Sequence, residues 1–591
     1  MTISRPRPAY DLLLVAVVAF ALRIVHAFFL RRTPFLEGPV IDAQVYRSFA
    51  EQLARTGDFG GAFYQPPLYP ALLALLLRMG LGSPWSVCVV QSLMGAATAA
   101  LMLLVGRRLA EHADGARRAG LLTGLLTAAY GPFVLFDLEL LPPCIVLLLL
   151  ASALVLALRS GGLGVRDAAL GLLLGAAITG WPLIAVLVPG LCALRARRVP
   201  SRRAAAAALL LVLAFTAPPI ALTARHNAAH DGEGILVSYN SGINLWLGNN
   251  PRWRDTWRAR PGAAFEPELE RPDREGVTRP ADRSRYFVEL VRADVAAHPF
   301  AAAARTAEKF YYVWHGREIR RNQDIALLRE ASPVLALLLW EAGVAFPFGI
   351  LAPLALLGIW RRRRETDVRI LAASALLYAL VLAAFFAAAR YRLPLVLFLL
   401  PLGAVEILRL SAAGRTAARS LAALLACVAL LNAPNAFTQS FAAGEAERGI
   451  LRAHAFRNQG KREQAAQISE QLAGRFPTDA NVQMLRAEAL LDAGRCELAL
   501  PHLQRVTELA PRAATPWVML GSCLGERGDA AGAERAFATA LSLHPYHAIA
   551  LKRAAALYAQ HGRVIEARSL LTRFVRSGYH DREVAEWLSE H

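Results

Sequence analysis

Charged residues, and lysine above all, are scarce in this sequence. Only 19% of its 591 residues are charged, 55% are hydrophobic, and the mean hydropathy is +0.36. This composition excludes a disordered chain and is too apolar for an ordinary soluble protein of this length. Lysine occurs three times, so 62 of the 65 basic residues are arginine, and the net charge is +19. Because such a surplus is also typical of nucleic-acid binding, its distribution along the chain decides what it means.

Cysteine is also rare, and no spacing of cysteine and histidine predicts a zinc site. Of the six cysteines, four lie in apolar runs, where we expect them to pack as small hydrophobic residues: Cys88, Cys144, Cys192 and Cys427. The other two, Cys496 and Cys523, lie in the C-terminal part of the chain. They either form a disulfide in an oxidising compartment or pack unpaired.

Apolar runs long enough to cross a membrane recur from the start of the chain, since a spanning helix needs about 20 apolar residues. The sequence predicts eleven spans. Nine are residues 10–30, 85–105, 119–136, 143–158, 204–222, 334–360, 368–389, 394–408 and 418–431. Residues 167–194, interrupted at Trp181 and Pro182, are predicted as two more short spans or a kinked hairpin. The shorter run 70–79 is predicted as a helix at the membrane surface.

Arginine asymmetry between the loops predicts the orientation of these spans. With the N-terminus in the cytoplasm, the inside segments carry about +16 of the net charge. This threading leaves three parts outside: a first loop at about 31–84, a long loop at about 224–332, and everything after about 432. We therefore predict a multi-pass protein of a bacterial cytoplasmic (inner) membrane. Most of the +19 is then a topology signal, and nucleic acid is not an expected partner.

The C-terminal part has a fixed period. Gly460, Gly494, Gly528 and Gly562 are each 34 residues apart, which is the period of tetratricopeptide repeats. Four repeats fit between about residues 446 and 581. Such arrays bind peptides or protein partners, or only assemble and stabilise a protein. The predicted fold is all-α: a membrane domain at 1–433 and an extracytoplasmic tetratricopeptide α-solenoid at 434–591.

Several polar segments at the outer membrane edge resemble one enzyme family. Ionisable residues at such places are functional candidates because burying them is costly. Residues 37–46 contribute acidic residues and a tyrosine after the first span, and residues 64–70 contain a Pro-Pro-Leu-Tyr-Pro run. Three later segments carry the rest of the resemblance: 240–251, 314–319 and 390–394. Together they resemble GT-C fold glycosyltransferases of the branch that includes protein mannosyltransferases and the aminoarabinose transferase of lipid A (glycosyltransferase family 39-like), within a bacterial subgroup with C-terminal tetratricopeptide repeats.

This resemblance implies transfer of a sugar, with inversion, from a polyprenyl phosphate to an acceptor on the extracytoplasmic side. Asp42 is the expected general base, although Asp at this place also suits the N-cap of a helix at 43–55. Arg390 and Arg392 are the expected ligands of the donor phosphate, because arginine suits phosphate geometry. Alternatively, both arginines are anchors at the membrane surface.

Further side chains complete the expected site. Asp137 and Glu139 could bind a divalent cation together with Asp42, fix arginines, or, for Glu139, favour a helix start. Four residues are expected to line the cavity, with solvated loop positions as the alternative for the histidines: Tyr46, His226, His315 and Glu318. Trp181 stands where family members often have arginine before a proline.

Two other classes of function remain open. Transporters and flippases of lipid-linked or polar substrates also place charges in the membrane, although no duplication of hydropathy indicates one here. A membrane-anchored tetratricopeptide scaffold is the third reading, but one span would suffice to anchor it. The acceptor or another protein partner would then be bound by the repeats.

Overall fold

A computed structural model describes residues 8–110, 115–263, 265–412, 418–577, 579 and 581–591, and most of them are helical. This confirms the predicted all-α class, with one two-stranded hairpin among the described residues. Some residues that carry the predicted topology signal lie outside these ranges: Arg5, Arg7, Glu111, Asp114 and Arg415.

The helices before residue 239 are α1 (Pro8–Leu30), α2 (Asp42–Thr56), α3 (Leu68–Arg78), α4 (Pro84–Leu109), α5 (Ala116–Ala128), α6 (Gly131–Leu138), α7 (Pro143–Leu158), α8 (Val165–Gly180), a 3₁₀ turn (Pro182–Leu187), α9 (Val188–Ala196) and α10 (Arg202–Ala228). The next five are α11 (Ser241–Asn249), α12 (Trp253–Arg258), α13 (Glu266–Leu269), α14 (Arg271–Arg274) and α15 (Pro280–Ala297). Then follow α16 (Pro299–Trp314), α17 (Ile325–Ala331), α18 (Pro333–Leu338), β1 (Trp340–Ala342), β2 (Val344–Phe346), α19 (Phe348–Arg361), α20 (Thr366–Ala384), α21 (Ala389–Ala412), α22 (Ala418–Leu431) and α23 (Ala436–Gln439).

The chain folds as two compact units. The first contains Met1–Ser238 and Ala297–Ala442, and the second contains Tyr239–Ala296 and Ala443–His591. The division therefore differs from a single boundary between residues 433 and 434. The middle of the long loop belongs to the unit that contains the repeats.

In the described part of the chain, five helices are long and apolar enough to cross a membrane: α1, α4, α10, α20 and α21. The pair α5 and α6 meets the same test as one segment, although it bends by 49°. The eleven predicted spans are not supported, because the other apolar helices have 10–17 residues and fall short of the bilayer thickness. The run predicted at the membrane surface forms α3, whose Tyr69 and Leu73 are buried.

The backbone leaves the helical region within the predicted span 334–360, and also in residues 167–194, where the sequence predicts an interruption. The run 334–360 contains α18, the antiparallel hairpin β1–β2 and α19, and the hairpin turns at Gly343, which has a φ of 75°. The run 167–194 breaks at Trp181, whose φ of −157° is extended, and continues from Pro182 as a 3₁₀ turn and α9. Proline disfavours a helical conformation in the residue before it, which accounts for the second break.

The repeats form four helix pairs and a final helix: α24 (Glu445–Asn458), α25 (Arg462–Arg475), α26 (Ala480–Asp492), α27 (Cys496–Leu509), α28 (Ala514–Glu526), α29 (Ala530–Leu543), α30 (Ala548–Gln560), α31 (Val564–Arg576) and α32 (Arg582–Glu590). Each pair turns at one of the four periodic glycines, whose φ values lie between 69° and 83°. Glycine adopts this left-handed conformation without strain, which explains the period. The helix pairs confirm tetratricopeptide repeats.

Small and large residues alternate in the repeat cores. Phe537 of α29 packs with Val518 of α28 and with Ala550 and Ala554 of α30, so one ring links two successive repeats. Its close approach requires Gly521, because a Cβ there would lie 2.8 Å from the ring. Cys496 and Cys523 form a disulfide between α27 and α28, with their Cα atoms 5.6 Å apart.

We expect Gly521→Ala to destabilise the third repeat by about 1–3 kcal/mol, because the added methyl group overpacks the ring of Phe537. Gly525→Ala is the matched control on the same helix, because a Cβ there meets Ala533 at an ordinary 3.7 Å. Alanine should then raise helix stability by up to about 1 kcal/mol. Thermal unfolding of the full chain, with hydrogen exchange of α28 and α29 as the local readout, measures both. Equal effects of the two substitutions would contradict this packing.

Candidate functional site

Asp42 is the first residue of α2, and the backbone bends sharply just before it. Ile41, the residue before the helix, has a φ of 54° and offers no side-chain cap. Positive φ is strained for a β-branched residue, and such strain collects at functional sites. The turn directs Asp42 toward the first residues of α21 and the segment before α17.

The Asp42 carboxylate is held by two side chains that are distant in sequence. Arg390 Nη1 donates to Asp42 Oδ2 at 2.6 Å, and Asn322 Nδ2 donates to the same oxygen at 2.9 Å. Both members of the Asp42–Arg390 ion pair are largely buried. The structure thus brings the predicted base together with one of the two predicted phosphate ligands.

Two buried polar atoms beside this pair have no hydrogen-bond partner among the described residues: Arg390 Nε and Asn322 Oδ1. The remaining terminal nitrogen of Arg390, Nη2, donates to the hydroxyl of Tyr391 at 2.8 Å. Buried polar groups are nearly always satisfied in proteins, so an orphan donor and an orphan acceptor side by side indicate a place for a ligand or water.

Tyr46, one turn after Asp42, joins this cluster to α3. Its hydroxyl donates to Gln65 Oε1 at 3.2 Å, and its ring packs edge-on against Tyr69 at 5.5 Å. Burial and the charge of Asp42 raise the pKa of Tyr46, so its hydroxyl stays protonated. The hydroxyl of Tyr69 donates to Gln91, whose side-chain nitrogen donates to the backbone oxygens of Asp137 and Glu139.

Asp137 and Glu139 have different surroundings although they are two residues apart. The carboxylate of Asp137 pairs with Arg23 at 2.7 Å in the protein interior. Glu139 lies just after α6, is half-buried, and its carboxylate has no hydrogen-bond or ion-pair partner among the described residues. Burial raises the pKa of Glu139 to about 7, against the opposing effect of the nearby Arg390 charge. A carboxylate with this pKa can exchange protons near neutral pH.

Arg392 is used very differently from Arg390. Its Nη1 donates to the backbone oxygens of His315 and Val313, at 2.6 and 3.4 Å, and its Nη2 pairs with Glu318 at 2.5 Å. The guanidinium also lies 3.8 Å from the ring centre of Phe348. Both terminal nitrogens are therefore occupied, and Arg392 holds the backbone after α16 in place.

His315 and Glu318 belong to the same structural cluster. His315 Nε2 donates to the Ala433 oxygen at 3.1 Å, and its Nδ1 accepts from the Arg317 amide at 3.1 Å. Burial lowers the pKa of His315 and raises that of Glu318. The arrangement gives these two predicted cavity residues a role in fixing the loop.

The structure adds residues that sequence reasoning missed. Asn322 contacts Asp42 directly, and the buried Arg321 lies near Asp42 and Arg390, with its guanidinium 5.2 Å from the ring centre of Phe386. Both belong to the run Arg320-Arg321-Asn322 near the end of the long loop. Trp181, at the break after α8, packs edge-on against Tyr391 at 5.4 Å and thus borders Arg390 through one side chain.

His226 lies in a different group from the one around Asp42. Asp58, His226 and His230 are the one set of three metal-ligand side chains in the described part of the chain whose ligand atoms all lie within 4.8 Å. Nε2 of His226 bonds to the Gly61 oxygen at 2.9 Å, and Nδ1 of His230 bonds to the His226 oxygen at 2.8 Å. Metal-binding histidines use such backbone bonds to fix their free nitrogen. The predicted cation candidates Asp42, Asp137 and Glu139 do not form such a set.

Comparisons with known proteins reach only part of the chain. No protein-family model matches, and no curated protein matches. Among solved structures, a crystal structure of MamA is 16% identical with a TM-score of 0.23, covering 23% of this chain and 81% of that one. YrrB, titled a TPR protein with an unusual peptide-binding site, is 20% identical with a TM-score of 0.22, covering 32% and 90%. MamA 41-end from Desulfovibrio magneticus RS-1 is 18% identical with a TM-score of 0.22, covering 29% and 90%.

These matches are consistent with the tetratricopeptide repeats, which the helix pairs of this chain establish by themselves. None of the three covers more than a third of the chain. No family model and no curated protein supports the resemblance to glycosyltransferases, and the function of the first unit is argued from its own residues.

We expect Glu139→Gln to remove a pH-dependent loss of stability. Glu139 keeps its proton in the folded protein up to about pH 7, whereas the unfolded chain loses it near its ordinary pKa of about 4.3. Its contribution to stability is therefore complete below that value and is lost as pH rises through 7. Thermal unfolding should show the variant gaining about 1–3 kcal/mol relative to the wild type between pH 5 and pH 8.

The control for this measurement is Glu51→Gln on α2, because Glu51 is exposed and pairs with Arg47. It should show no such gain. If Glu139→Gln and Glu51→Gln change in parallel with pH, the shifted pKa of Glu139 is refuted.

Proposed function

We propose that this chain is a membrane glycosyltransferase that moves a sugar, with inversion, from a polyprenyl phosphate to an acceptor on the extracytoplasmic side of a bacterial cytoplasmic membrane. The observation that supports it is the buried Asp42–Arg390 pair with its two unsatisfied polar atoms, Arg390 Nε and Asn322 Oδ1. A carboxylate and a partly unused guanidinium lie side by side, which is what proton removal and phosphate binding require together.

The residues suggest a division of roles. In the reaction the bond between the anomeric carbon and the phosphate oxygen breaks, the acceptor oxygen bonds to that carbon, and the acceptor proton moves to a carboxylate. Asp42 is the general base in this proposal, and Glu139 is a second carboxylate able to take or return a proton near pH 7. Arg390 stabilises the charge that develops on the leaving phosphate. Arg392, occupied by Glu318 and backbone oxygens, is not assigned to the phosphate.

We expect Asp42→Asn to lower the rate of sugar transfer about 10²–10⁴-fold, because it removes the proton acceptor but keeps the shape. Arg390→Lys keeps a charge but loses the planar, two-pronged donor, so it should weaken binding of polyprenyl phosphate. The measurements are sugar release from synthetic polyprenyl phosphate sugars and titration with polyprenyl phosphate, using the purified full chain.

Arg47→Ala is the matched control for these variants. Arg47 lies on the same helix as Asp42, but its side chain is exposed and forms an ion pair with Glu51 one turn later. It should leave rate and binding unchanged. The proposal is contradicted if Asp42→Asn keeps full activity or if the wild-type protein does not bind polyprenyl phosphate.

A second candidate is a membrane-anchored scaffold that binds a protein partner through the repeats. The four helix pairs of the second unit favour it, because stacked repeats present extended binding surfaces. This is also the reading with which the structural matches are consistent.

Removal of residues 443–591 separates the two candidates. If the chain is an enzyme, we expect the shortened protein to keep its affinity for polyprenyl phosphate within about threefold, since Asp42, Asn322 and Arg390 all belong to the first unit. A scaffold would lose its partner and show no lipid-phosphate binding in either form. Titration of both proteins with polyprenyl phosphate, after comparing their helix content, decides between them.

A further inference from the structure

Two histidines and a carboxylate meet at the end of α10. His226 lies in the last turn of this helix, His230 follows it by four residues, and Asp58 comes from the segment between α2 and α3. Each of the three side chains places a possible metal-ligand atom within 4.8 Å of those of the other two. All three residues belong to the first compact unit. Side chains that are distant in sequence thus converge at a second place in this unit.

The spacing of the two histidines suits a shared ligand. Residues four apart lie on the same face of a helix, one turn from each other. The turn continues past the last helical residue, because the amide of His230 donates to the Asn227 oxygen at 2.9 Å. The rings of His226 and His230 have centres 4.3 Å apart. Two histidines at this spacing on one helix face are an arrangement that binds zinc in proteins.

Backbone oxygens determine which nitrogen of each ring is available. Nε2 of His226 donates to the Gly61 oxygen at 2.9 Å, and Nδ1 of His230 donates to the His226 oxygen at 2.8 Å. In a neutral imidazole the donating nitrogen carries the proton, so Nδ1 of His226 and Nε2 of His230 keep their lone pairs. These backbone bonds are the usual support of metal-binding histidines, because they fix both the ring and its proton.

Asp58 supplies a negatively charged ligand. Its backbone is held by the hydroxyl of Thr56, which accepts from the Asp58 amide at 3.2 Å and donates to the Asp58 oxygen at 3.0 Å. Its Oδ2 lies 3.9 Å from Nε2 of His230, too far for a hydrogen bond. Two ligand atoms about 2.1 Å from one tetrahedral zinc ion are about 3.4 Å apart, so movements of about 1 Å close the side chains on an ion. The exposed Asp58 side chain is free to make such a movement.

Aromatic rings cover one side of the histidines. The ring of the buried Phe63 stacks on His226 with the ring centres 4.3 Å apart and the planes at 18°. Phe59 packs edge-on against both of these rings. Apolar side chains around a metal site limit the access of water and strengthen the attraction between an ion and its ligands. The remaining side, where Asp58 lies, is open to solvent.

The residue after His226 holds the surrounding backbone in place. Asn227 is buried, and its Oδ1 accepts from the Phe63 amide at 2.8 Å. Its Nδ2 donates to the backbone oxygens of Ile235 and Val237, at 3.1 and 3.2 Å. The backbone segments on both sides of the two histidines are therefore fixed to the end of α10. A ligand set on a support of this kind is preorganised, which favours binding.

The types of ligand select the class of ion. Two imidazoles and one carboxylate suit zinc and similar divalent transition metals, whereas magnesium and calcium prefer oxygen ligands. The predicted topology places this site on the same side of the membrane as the repeats, where the disulfide between Cys496 and Cys523 indicates an oxidising compartment. Zinc has no redox chemistry, so it suits such a compartment better than ferrous iron does.

We propose that Asp58, His226 and His230 bind one Zn²⁺ ion, which ties the segment between α2 and α3 to the end of α10. Three protein ligands leave the fourth position of a tetrahedral ion to water or another ligand. The site is separate from the cluster around Asp42, because Asp42 begins α2, Asp58 follows its end, and a helix of 15 residues is about 22 Å long. The inference goes beyond the proposed function and concerns a different part of the first unit.

The test measures Zn²⁺ binding to the purified full chain, without a histidine tag, by competition with a chromophoric zinc chelator. We expect one ion per chain, and no competition from Mg²⁺. Asp58→Asn and His230→Gln should each weaken binding by about 100-fold or more, because a lost ligand costs more than the roughly 10–100-fold effect of a lost supporting hydrogen bond. Both side chains are accessible to solvent, so these substitutions leave the packing around Phe63 in place.

His561→Gln is the matched control. His561 follows the end of α30, and its Nδ1 donates to the oxygen of Leu557, four residues earlier, at 2.8 Å. His230 makes the same bond to His226. His561 does not belong to a set of three metal-ligand side chains in the described part of the chain. Its substitution should therefore leave Zn²⁺ binding unchanged.

Hydrogen exchange of residues 57–62 gives a second readout that needs no chelator. At a free Zn²⁺ concentration about 100 times its Kd, exchange that requires opening of the site should slow by about 100-fold, because opening then requires release of the ion. The same concentration should have no effect on Asp58→Asn.

Four results would overturn the proposal. They are a wild-type chain that binds no Zn²⁺, Asp58→Asn and His230→Gln chains that bind it as tightly as the wild type, a His561→Gln chain weakened as much as His230→Gln, and unchanged exchange of residues 57–62 on addition of Zn²⁺. None of these results depends on sugar transfer or on binding of polyprenyl phosphate, so the proposed function is tested separately.

Discussion

The cost of burying charge is the constraint that shapes the first unit. Its interior holds several ion pairs whose members are distant in sequence, and removing one member would leave an uncompensated charge in a dry environment. Arg23–Asp137, Arg195–Asp167 and Arg392–Glu318 are almost completely enclosed. Each joins segments that the chain separates: α1 to α6, α9 to α8, and α21 to the loop after α16. These ion pairs determine which helices pack together more specifically than the apolar faces do. Lipid could cover the apolar faces equally well, whereas a buried charge needs its partner.

The two arginines of one short motif are used differently. Arg392 uses both terminal nitrogens on Glu318 and backbone oxygens, whereas Arg390 keeps a buried Nε without a partner in the described part of the chain. An arginine held by backbone oxygens fixes a loop, and one with an unsatisfied buried nitrogen next to Asp42 and Tyr391 is suited to binding. Near Arg390, Glu139 adds a carboxylate whose pKa is raised to about 7. The chemical proposal rests on this contrast between two arginines in one short motif.

That contrast also shows what could be predicted from the sequence. The repeats followed from one spacing, because the turn between paired helices needs a left-handed residue and glycine supplies it every 34 positions. Asp42 and Arg390 were predicted to lie near each other, and their side chains do form an ion pair although they are 348 residues apart. Treating Arg390 and Arg392 as partners in one role was less successful, because residues two apart on a helix point to different sides. The same holds for Asp137, which ends α6, and Glu139, which follows it. The number of spans was overestimated because apolar composition does not reveal the break at Gly343 or the short length of several apolar helices.

The long loop illustrates a limit of reading charge by region. The structure uses residues of opposite charge, Arg260 and Glu266, for separate contacts with the repeats. Arg260 meets Glu447 of the first repeat, and Glu266 meets the open amide end of α28 in the third. Each charge therefore acts through its own contact, and the summed charge of a region does not show which contacts its residues make.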